Sequence, residues 1–125
     1  LKVPENLLYT KEHEWISKKD NVVKVGITDF AQSQLGDIIF LDLPEIGDQI
    51  VAGESFGEIE AVKTVSELYA PVDGTILEVN EDLEGSPDNI NQDCYGTGWI
   101  IKVSHEGDLG SNDLLDHKAY SNLIE

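Results

Sequence analysis

The sequence predicts a mainly β domain, a sandwich or a partly open barrel, with a short helix in its N-terminal half and another near its C-terminus. Three observations support this fold class. The chain has 125 residues, which is the length of one domain with one hydrophobic core. Short runs of β-branched and apolar residues alternate with Gly, Pro and Asp, a pattern typical of strands joined by tight turns. Helical signals occur in two places only.

The first strand and the first helix follow each other directly. Val22, Val23, Val25 and Ile27 form a β-branched run after a turn-like Lys-Asp-Asn sequence. Residues 28–35 predict a short helix, because Thr28 or Asp29 can serve as its N-cap and Gly36 as its terminating residue.

The remaining strands have Gly or Pro at their margins. We expect them over residues 38–43, 48–51, 55–60, 64–69, 75–80 and 99–103. Near the C-terminus, Ser111 or Asn112 can cap a helix over about residues 112–124. Its apolar face would consist of Leu114, Leu115, Ala119 and Leu123, and we expect this face to pack on the sheets.

Composition excludes several classes of function. The formal net charge is −17, and all eight basic residues are Lys, so nucleic acid and anionic membranes are poor partners. The longest apolar run, residues 38–41, is too short to span a bilayer. A single cysteine, Cys94, permits no intrachain disulfide, as expected in a reducing compartment. Because the chain begins with Leu1 and contains no Met, we expect an upstream segment to have been removed or left out.

Lys63 is the residue with the most unusual sequence context. Between Gly26 and Ile101 there are sixteen Asp and Glu residues and one basic side chain, Lys63. It lies between two strand-like segments that are close enough in sequence to form a hairpin, so it would project at or near the turn. A lysine on a rigid turn suits covalent attachment of a prosthetic group. Acidic neighbours favour the ammonium form, so acylation would require an enzyme that deprotonates the amine.

Residues 60–74, with the sequence EAVKTVSELYAPVDG, resemble the lipoyl-attachment segment of the glycine cleavage H-protein family. Further motifs of the family occur in the expected order: Tyr9-Thr10, His13-Glu14-Trp15, residues 26–32 and 35–38, Leu43-Pro44 with Gly47, and Gly98-Trp99-Ile100. The resemblance covers the chain from about Tyr9 to its end. Departures are modest: many members have His, Ser and Leu where this chain has Phe30, Ala61 and Asn89.

The resemblance implies the barrel-sandwich hybrid of lipoyl and biotinyl carriers, with residues 1–125 as one domain and a core over about residues 9–104. It also implies a non-catalytic carrier with lipoate bound to Lys63 by an amide. In the family, the glycine decarboxylase (P protein) passes an aminomethyl group to the lipoyl arm. The aminomethyltransferase (T protein) removes it, and dihydrolipoamide dehydrogenase (L protein) restores the disulfide.

Other expectations also follow from the resemblance. A lipoate ligase or a lipoyl/octanoyl transferase would modify the lysine, with Glu60, Val62 and Glu67 contributing to its recognition of the hairpin. Glu14 and Glu67 would line a cleft that holds the ammonium group of the loaded arm. We expect a monomer, located in the cytoplasm if the source is bacterial or in the mitochondrial matrix if it is eukaryotic.

Other kinds of protein share some of these sequence features. An H-like protein that relays lipoate has the same sequence features. A biotinyl domain would typically have Met beside the lysine, and a 2-oxoacid dehydrogenase lipoyl domain would have Asp in place of Val62. An acidic hydrolase could use Glu58 and Glu60, which share one face of a strand.

No metal site is expected from the sequence. The acidic loop over residues 81–91 does not match an EF-hand, because its sixth position counted from Asp82 is Pro87. His105 and His117 have no Cys or His at zinc-ligand spacing. Cys94 has no sequence-local base, so a nucleophilic role is not expected.

Overall fold

The computed structural model describes residues 1–107, 109 and 114–125. Within these residues the chain forms nine strands and four helices. The strands are β1 Leu8–Tyr9, β2 Glu14–Lys19, β3 Val22–Ile27, β4 Ile38–Asp42, β5 Gln49–Ile50, β6 Ser55–Ala61, β7 Val65–Tyr69, β8 Gly74–Val79 and β9 Ile101–Ser104. The helices are α1 Asp29–Leu35, α2 Asp82–Gly85, α3 Asn89–Asp93 and α4 His117–Ile124.

The strands form two antiparallel sheets. The larger sheet has the order β1-β2-β3-β9-β8-β5, and the smaller has the order β4-β6-β7. Their apolar side chains share one buried core, in which each sheet contributes alternate residues. This core includes Val23, Val25, Ile101 and Val103 from the larger sheet and Ile38, Ile59 and Leu68 from the smaller one. The predicted mainly β fold class is therefore confirmed.

Helix α1 begins and ends where the sequence predicts. Thr28 is its N-cap, and its Oγ1 accepts a hydrogen bond from the Ala31 N–H at 3.1 Å. Gly36 ends the helix with φ +81°, a conformation that favours glycine. Because the chain then turns directly into β4, this helix end also determines where the smaller sheet begins.

The structure contains elements that the sequence pattern did not indicate. The expected strands do not include β1 and β2, and the expectation of helices in two places only is wrong. Helices α2 and α3 are single turns in the loop after β8, and each places one apolar side chain, Leu83 or Ile90, in the core. Helices this short are not stable by their own propensity, so tertiary burial must stabilise them.

The C-terminal helix is shorter than the predicted segment over about residues 112–124. Helix α4 begins at His117, and its N-cap Asp116 accepts a hydrogen bond from the Ala119 N–H at 2.8 Å. Leu115 instead pairs with Tyr9 through two backbone hydrogen bonds of 2.7 and 2.8 Å. The two proposed cap residues, Ser111 and Asn112, lie outside the described residues. The sequence pattern therefore overestimated the helix because Leu115 satisfies its backbone groups by bridging to β1.

Helix α4 packs against β1 and β2 of the larger sheet through a second apolar cluster. Tyr120 is fully buried there with Tyr9 and Trp15. The rings of Tyr9 and Tyr120 stack with their centroids 4.7 Å apart and their planes 10° from parallel. The helix therefore packs on the sheets, but the predicted apolar face is only partly correct. Ala119 and Leu123 are exposed, and the buried side chain of the helix is Tyr120, which lies on a different face. No helix among the described residues is long and apolar enough to cross a membrane.

Candidate functional site

Lys63 lies at the tip of the hairpin formed by β6 and β7. The Ala61 N–H donates to the Thr64 carbonyl at 2.8 Å, which leaves Val62 and Lys63 as a two-residue loop. Neither loop residue has a positive φ, so the loop needs no glycine. Lys63 is exposed, as the sequence predicts. The hairpin therefore presents the lysine side chain to solvent from a short connection.

The base of this loop is held by the segment between α1 and β4. The Val62 N–H donates to the Asp37 carbonyl at 3.1 Å. The side chain of Asn91 then fixes that segment, accepting from the Ile38 N–H at 2.9 Å and donating to the Gly36 carbonyl at 2.8 Å. Asn91 thus supports the hairpin tip from a distant part of the chain. Sequence reasoning missed this residue, because its role depends on contacts with a part of the chain that is remote in sequence.

The three residues expected to guide lipoylation lie on the same hairpin as Lys63. Val62 is adjacent to it and is 65% exposed. Glu60 lies opposite Val65 in the last strand pair before the loop, and Glu67 lies opposite Glu58 two residues further along. Within the described residues the ion pair found is Lys102–Glu78, at 3.0 Å, so the Lys63 amine has no carboxylate at ion-pair distance. Its amine is therefore accessible.

A cavity of about 250 Å³ lies beside β7, between that strand, α1 and the turn at residues 12–14. Its apolar lining includes Ile27, Leu35, Ile59 and Leu68. Three glutamates, Glu12, Glu14 and Glu67, also line it. The structure thus brings together Glu14 and Glu67, which are far apart in sequence and which we expected to share a cleft. Glu12 and His13, which also line the cavity, were not identified as site residues from the sequence.

Glu14 is a buried glutamate with 2% of its surface exposed, and it lines both this cavity and a neighbouring one of about 410 Å³ that Thr10 and Tyr69 also line. Thr10 Oγ1 donates to its Oε1 at 2.7 Å, and the Tyr69 N–H lies 3.4 Å from its Oε2. Burial raises the pKa of Glu14 to about 8, although both hydrogen bonds act in the opposite direction. The carboxyl group is therefore mostly protonated at pH 7, and a cation entering the cavity would favour its ionisation.

The number of residues between the hairpin tip and the cavity can be compared with the length of a lysine-linked arm. Ser66, Glu67 and Leu68 line the cavity and follow Lys63 by three to five residues. At the rise of an extended strand this spacing corresponds to roughly 10–16 Å. A lysine extended by a lipoyl group reaches about 14 Å by bond-length arithmetic. An arm on Lys63 is therefore long enough to reach the residues of β7 that line the cavity.

Other reactive side chains are placed for structural roles. Cys94 is buried, and burial raises the pKa of its thiol to about 12, which disfavours the nucleophilic thiolate. Its carbonyl accepts a hydrogen bond from Trp15 Nε1 at 2.9 Å. No group of three or more potential metal ligands occurs among the described residues. The acidic loop over residues 81–91 contains α2 and the start of α3.

Comparison with known proteins identifies the family of the chain. The sequence profile described as "Glycine cleavage H-protein" matches residues 7–125. The chain belongs to this family. It is 56% identical to a glycine cleavage system H protein of Mycobacterium avium, with 98% of this chain and 96% of that protein covered. It is 51% identical to one of Bacteroides thetaiotaomicron, with 97% and 96% covered.

A crystal structure of a glycine cleavage system H protein from Mycobacterium marinum has the same fold. It superposes with a TM-score of 0.88 at 41% sequence identity, covering 96% of this chain and 97% of the other. The fold is thus the barrel-sandwich hybrid of lipoyl carriers. The chain is a lipoyl carrier of the glycine cleavage system, a non-catalytic component in which a lysine bears lipoate. The hydrolase alternative does not apply to this family, whose members work with the P, T and L proteins.

Proposed function

We propose that Lys63 is the lipoylated residue, with its Nζ in amide linkage to lipoate, and that the chain carries its cargo between the P, T and L proteins. The observation that supports this most strongly is an exposed lysine on a two-residue loop that leads into β7, a strand whose residues line a largely apolar cavity together with Glu12 and Glu14. The loop is braced by the Val62 and Asn91 contacts, so the attachment point is fixed while the arm is free to move.

The residues of the cavity fit such an arm. When attached, lipoate supplies a disulfide that accepts the aminomethyl group and electrons. Ile59 and Leu68 present an apolar wall that excludes water from the end of the arm. Glu67 at the rim offers a carboxylate to the ammonium group of the cargo. Glu14, protonated in the empty cavity, would lose its proton as the positive charge arrives and then accept a hydrogen bond from it.

A lipoate ligase or a lipoyl/octanoyl transferase would recognise the hairpin through Glu60, Val62 and Glu67. Val62 offers an exposed apolar contact next to the target amine, and the two carboxylates lie on either side of the loop. Because the backbone of a two-residue hairpin loop is constrained, the enzyme can position the lysine by binding these neighbours.

We also propose a domain organisation, an oligomeric state and a location for the protein. We propose that residues 1–125 form one domain that acts as a monomer in the bacterial cytoplasm, since the relatives described above are bacterial. The net charge of −17 would steer the carrier towards basic surfaces of its partners. Such encounters are rapid and reversible, and added salt weakens them.

The test is the intact mass of the protein after incubation with a lipoate ligase, lipoate and ATP, followed by peptide mapping. We expect a gain of roughly 190 Da, located on Lys63. Lys63→Arg keeps the charge and should gain no mass. Lys19→Arg is the matched control, because Lys19 is exposed and also adjoins a two-residue hairpin loop, between β2 and β3. Modification of Lys63→Arg, or none of the wild type, would overturn the proposal.

A further inference from the structure

The turn that carries Glu12 and Glu14 to the cavity has an unusual backbone. His13, between them, has φ +68°, in the left-handed region that few residues other than glycine adopt. A non-glycine residue in this region persists only where the surrounding structure holds it. The course of the backbone from which the two neighbouring glutamates project therefore depends on whatever fixes His13.

Three hydrogen bonds hold His13. Its N–H donates to the Thr10 carbonyl at 3.1 Å, and its carbonyl accepts from the Thr28 N–H at 3.0 Å. Its ring Nδ1 lies 2.9 Å from Tyr120 Oη, on helix α4. The first two bonds are local to the end of the sheet, whereas the third ties the turn to a helix 107 residues away.

The direction of this third bond follows from the groups around Tyr120. Thr28 Oγ1 lies 2.7 Å from Tyr120 Oη and already accepts from the Ala31 N–H. Both hydroxyl groups are buried, so each proton needs an acceptor. The arrangement that satisfies both has Thr28 donating to Tyr120 and Tyr120 donating to His13 Nδ1. His13 is then neutral and protonated on Nε2, consistent with burial lowering its pKa.

We infer that Tyr120 is a positioning residue for the arm cavity: its hydroxyl group fixes the His13 turn and so places Glu12 and Glu14 on the cavity wall. This inference rests on the function proposed above for the cavity. Tyr120 is itself fixed, because its ring stacks on Tyr9 and its backbone belongs to a helix with a capped N-terminus. The C-terminal helix thereby helps to hold the wall of the cavity in place, although none of its residues lines the cavity.

The test compares Tyr120→Phe with Tyr9→Phe. Both substitutions keep the buried stacked ring pair and remove one hydroxyl group, but Tyr9 Oη donates to the Pro4 carbonyl and not to the turn. In unlipoylated protein, carbon NMR should show the titration midpoint of Glu14 falling by about one pH unit in Tyr120→Phe as water reaches the carboxyl group. Nitrogen NMR should show a change at His13 Nδ1. Tyr9→Phe should leave both signals as in the wild type.

A second readout uses the loaded, lipoylated protein without its partners. We expect Tyr120→Phe to release its cargo about threefold faster or more, and Tyr9→Phe at the wild-type rate. His13→Asn provides a background without the imidazole, since asparagine tolerates a positive φ. In that background, adding Tyr120→Phe should change neither the Glu14 titration nor the rate of cargo release any further. Equal effects of the two phenylalanine substitutions on the Glu14 titration would overturn the inference. Unchanged cargo release with an altered Glu14 titration would instead contradict the cavity's proposed function.

Discussion

The buried carboxyl group of Glu14 should make the protein less stable as pH rises from about 4.5 to 8. Its pKa is about 8 in the folded protein against 4.5 for the free group. Between these values the folded chain keeps a proton that the unfolded chain has released, so rising pH favours unfolding. The contribution of the protonated group to stability is complete below pH 4.5 and is lost as pH rises through about 8.

The expected magnitude follows from this difference in pKa. At about 1.4 kcal/mol per pKa unit, the loss is about 3 kcal/mol at pH 7 and approaches 5 kcal/mol above pH 8. These values are upper limits because water penetration and relaxation reduce the cost of burying a charge. The loss is still a large fraction of the stability of a small domain.

Glu14→Gln tests this expectation, because glutamine resembles the protonated carboxyl group in shape and in hydrogen bonding. Its oxygen can accept from the Tyr69 N–H as Glu14 Oε2 does, and its amide can donate to Thr10 Oγ1 in place of the hydrogen bond that Thr10 donates to Glu14 Oε1. Urea unfolding at pH 5, 7 and 8.5 should show the advantage of the variant growing by about 3–4 kcal/mol across the range. The exposed Glu58→Gln is the control and should show no such trend. A constant difference between Glu14→Gln and the wild type would refute the reasoning.

Three other predictions concern the hairpin that carries the lysine. Lys63→Ala should change the free energy of unfolding by less than about 0.5 kcal/mol, because the side chain is exposed, and urea titration checks this. Asn91→Ala should destabilise the protein by about 1–3 kcal/mol and speed amide exchange at the hairpin tip, since it removes the brace of the α1–β4 segment. Glu60→Ala and Glu67→Ala should each lower kcat/KM of the lipoylating enzyme about tenfold or more, whereas Glu58→Ala should stay within about twofold. Equal effects at all three glutamates would indicate a general influence of charge.

Much of the fold could be predicted from local signals in the sequence. Helix α1 was predictable because Thr28 and Gly36 act on their own immediate backbone. The hairpin around Lys63 was predictable because two strands this close in sequence leave no room for another connection. Strands β1 and β2 and helices α2 and α3 were not predicted; β1, α2 and α3 are short, and each depends on contacts with distant residues. The C-terminal helix was overestimated for the same reason, because Leu115 pairs with Tyr9 across the fold.

The candidate site was likewise predictable where it depends on neighbouring residues and unpredictable where it depends on distant ones. The lysine and its acidic neighbours were identified from one short segment and from motifs in a fixed order. The expectation that Glu14 and Glu67 line one cleft came from the family resemblance. The geometry of that cleft depends on β7 lying beside the 12–14 turn. Asn91 and Tyr120 gave no signal as site residues, because each acts through a hydrogen bond to a part of the chain that is remote in sequence.

The sequence by itself determined a mainly β chain with an acidic surface and one lysine on a tight turn, because turns, caps and charge are properties of neighbouring residues. Only the tertiary structure decided that a carboxyl group at the start of β2 is buried against the edge of β7, with its pKa raised to about 8. The physical reason is desolvation: a glutamate has its ordinary acidity in an unfolded chain, and only the packing of distant strands and helices removes the water around it.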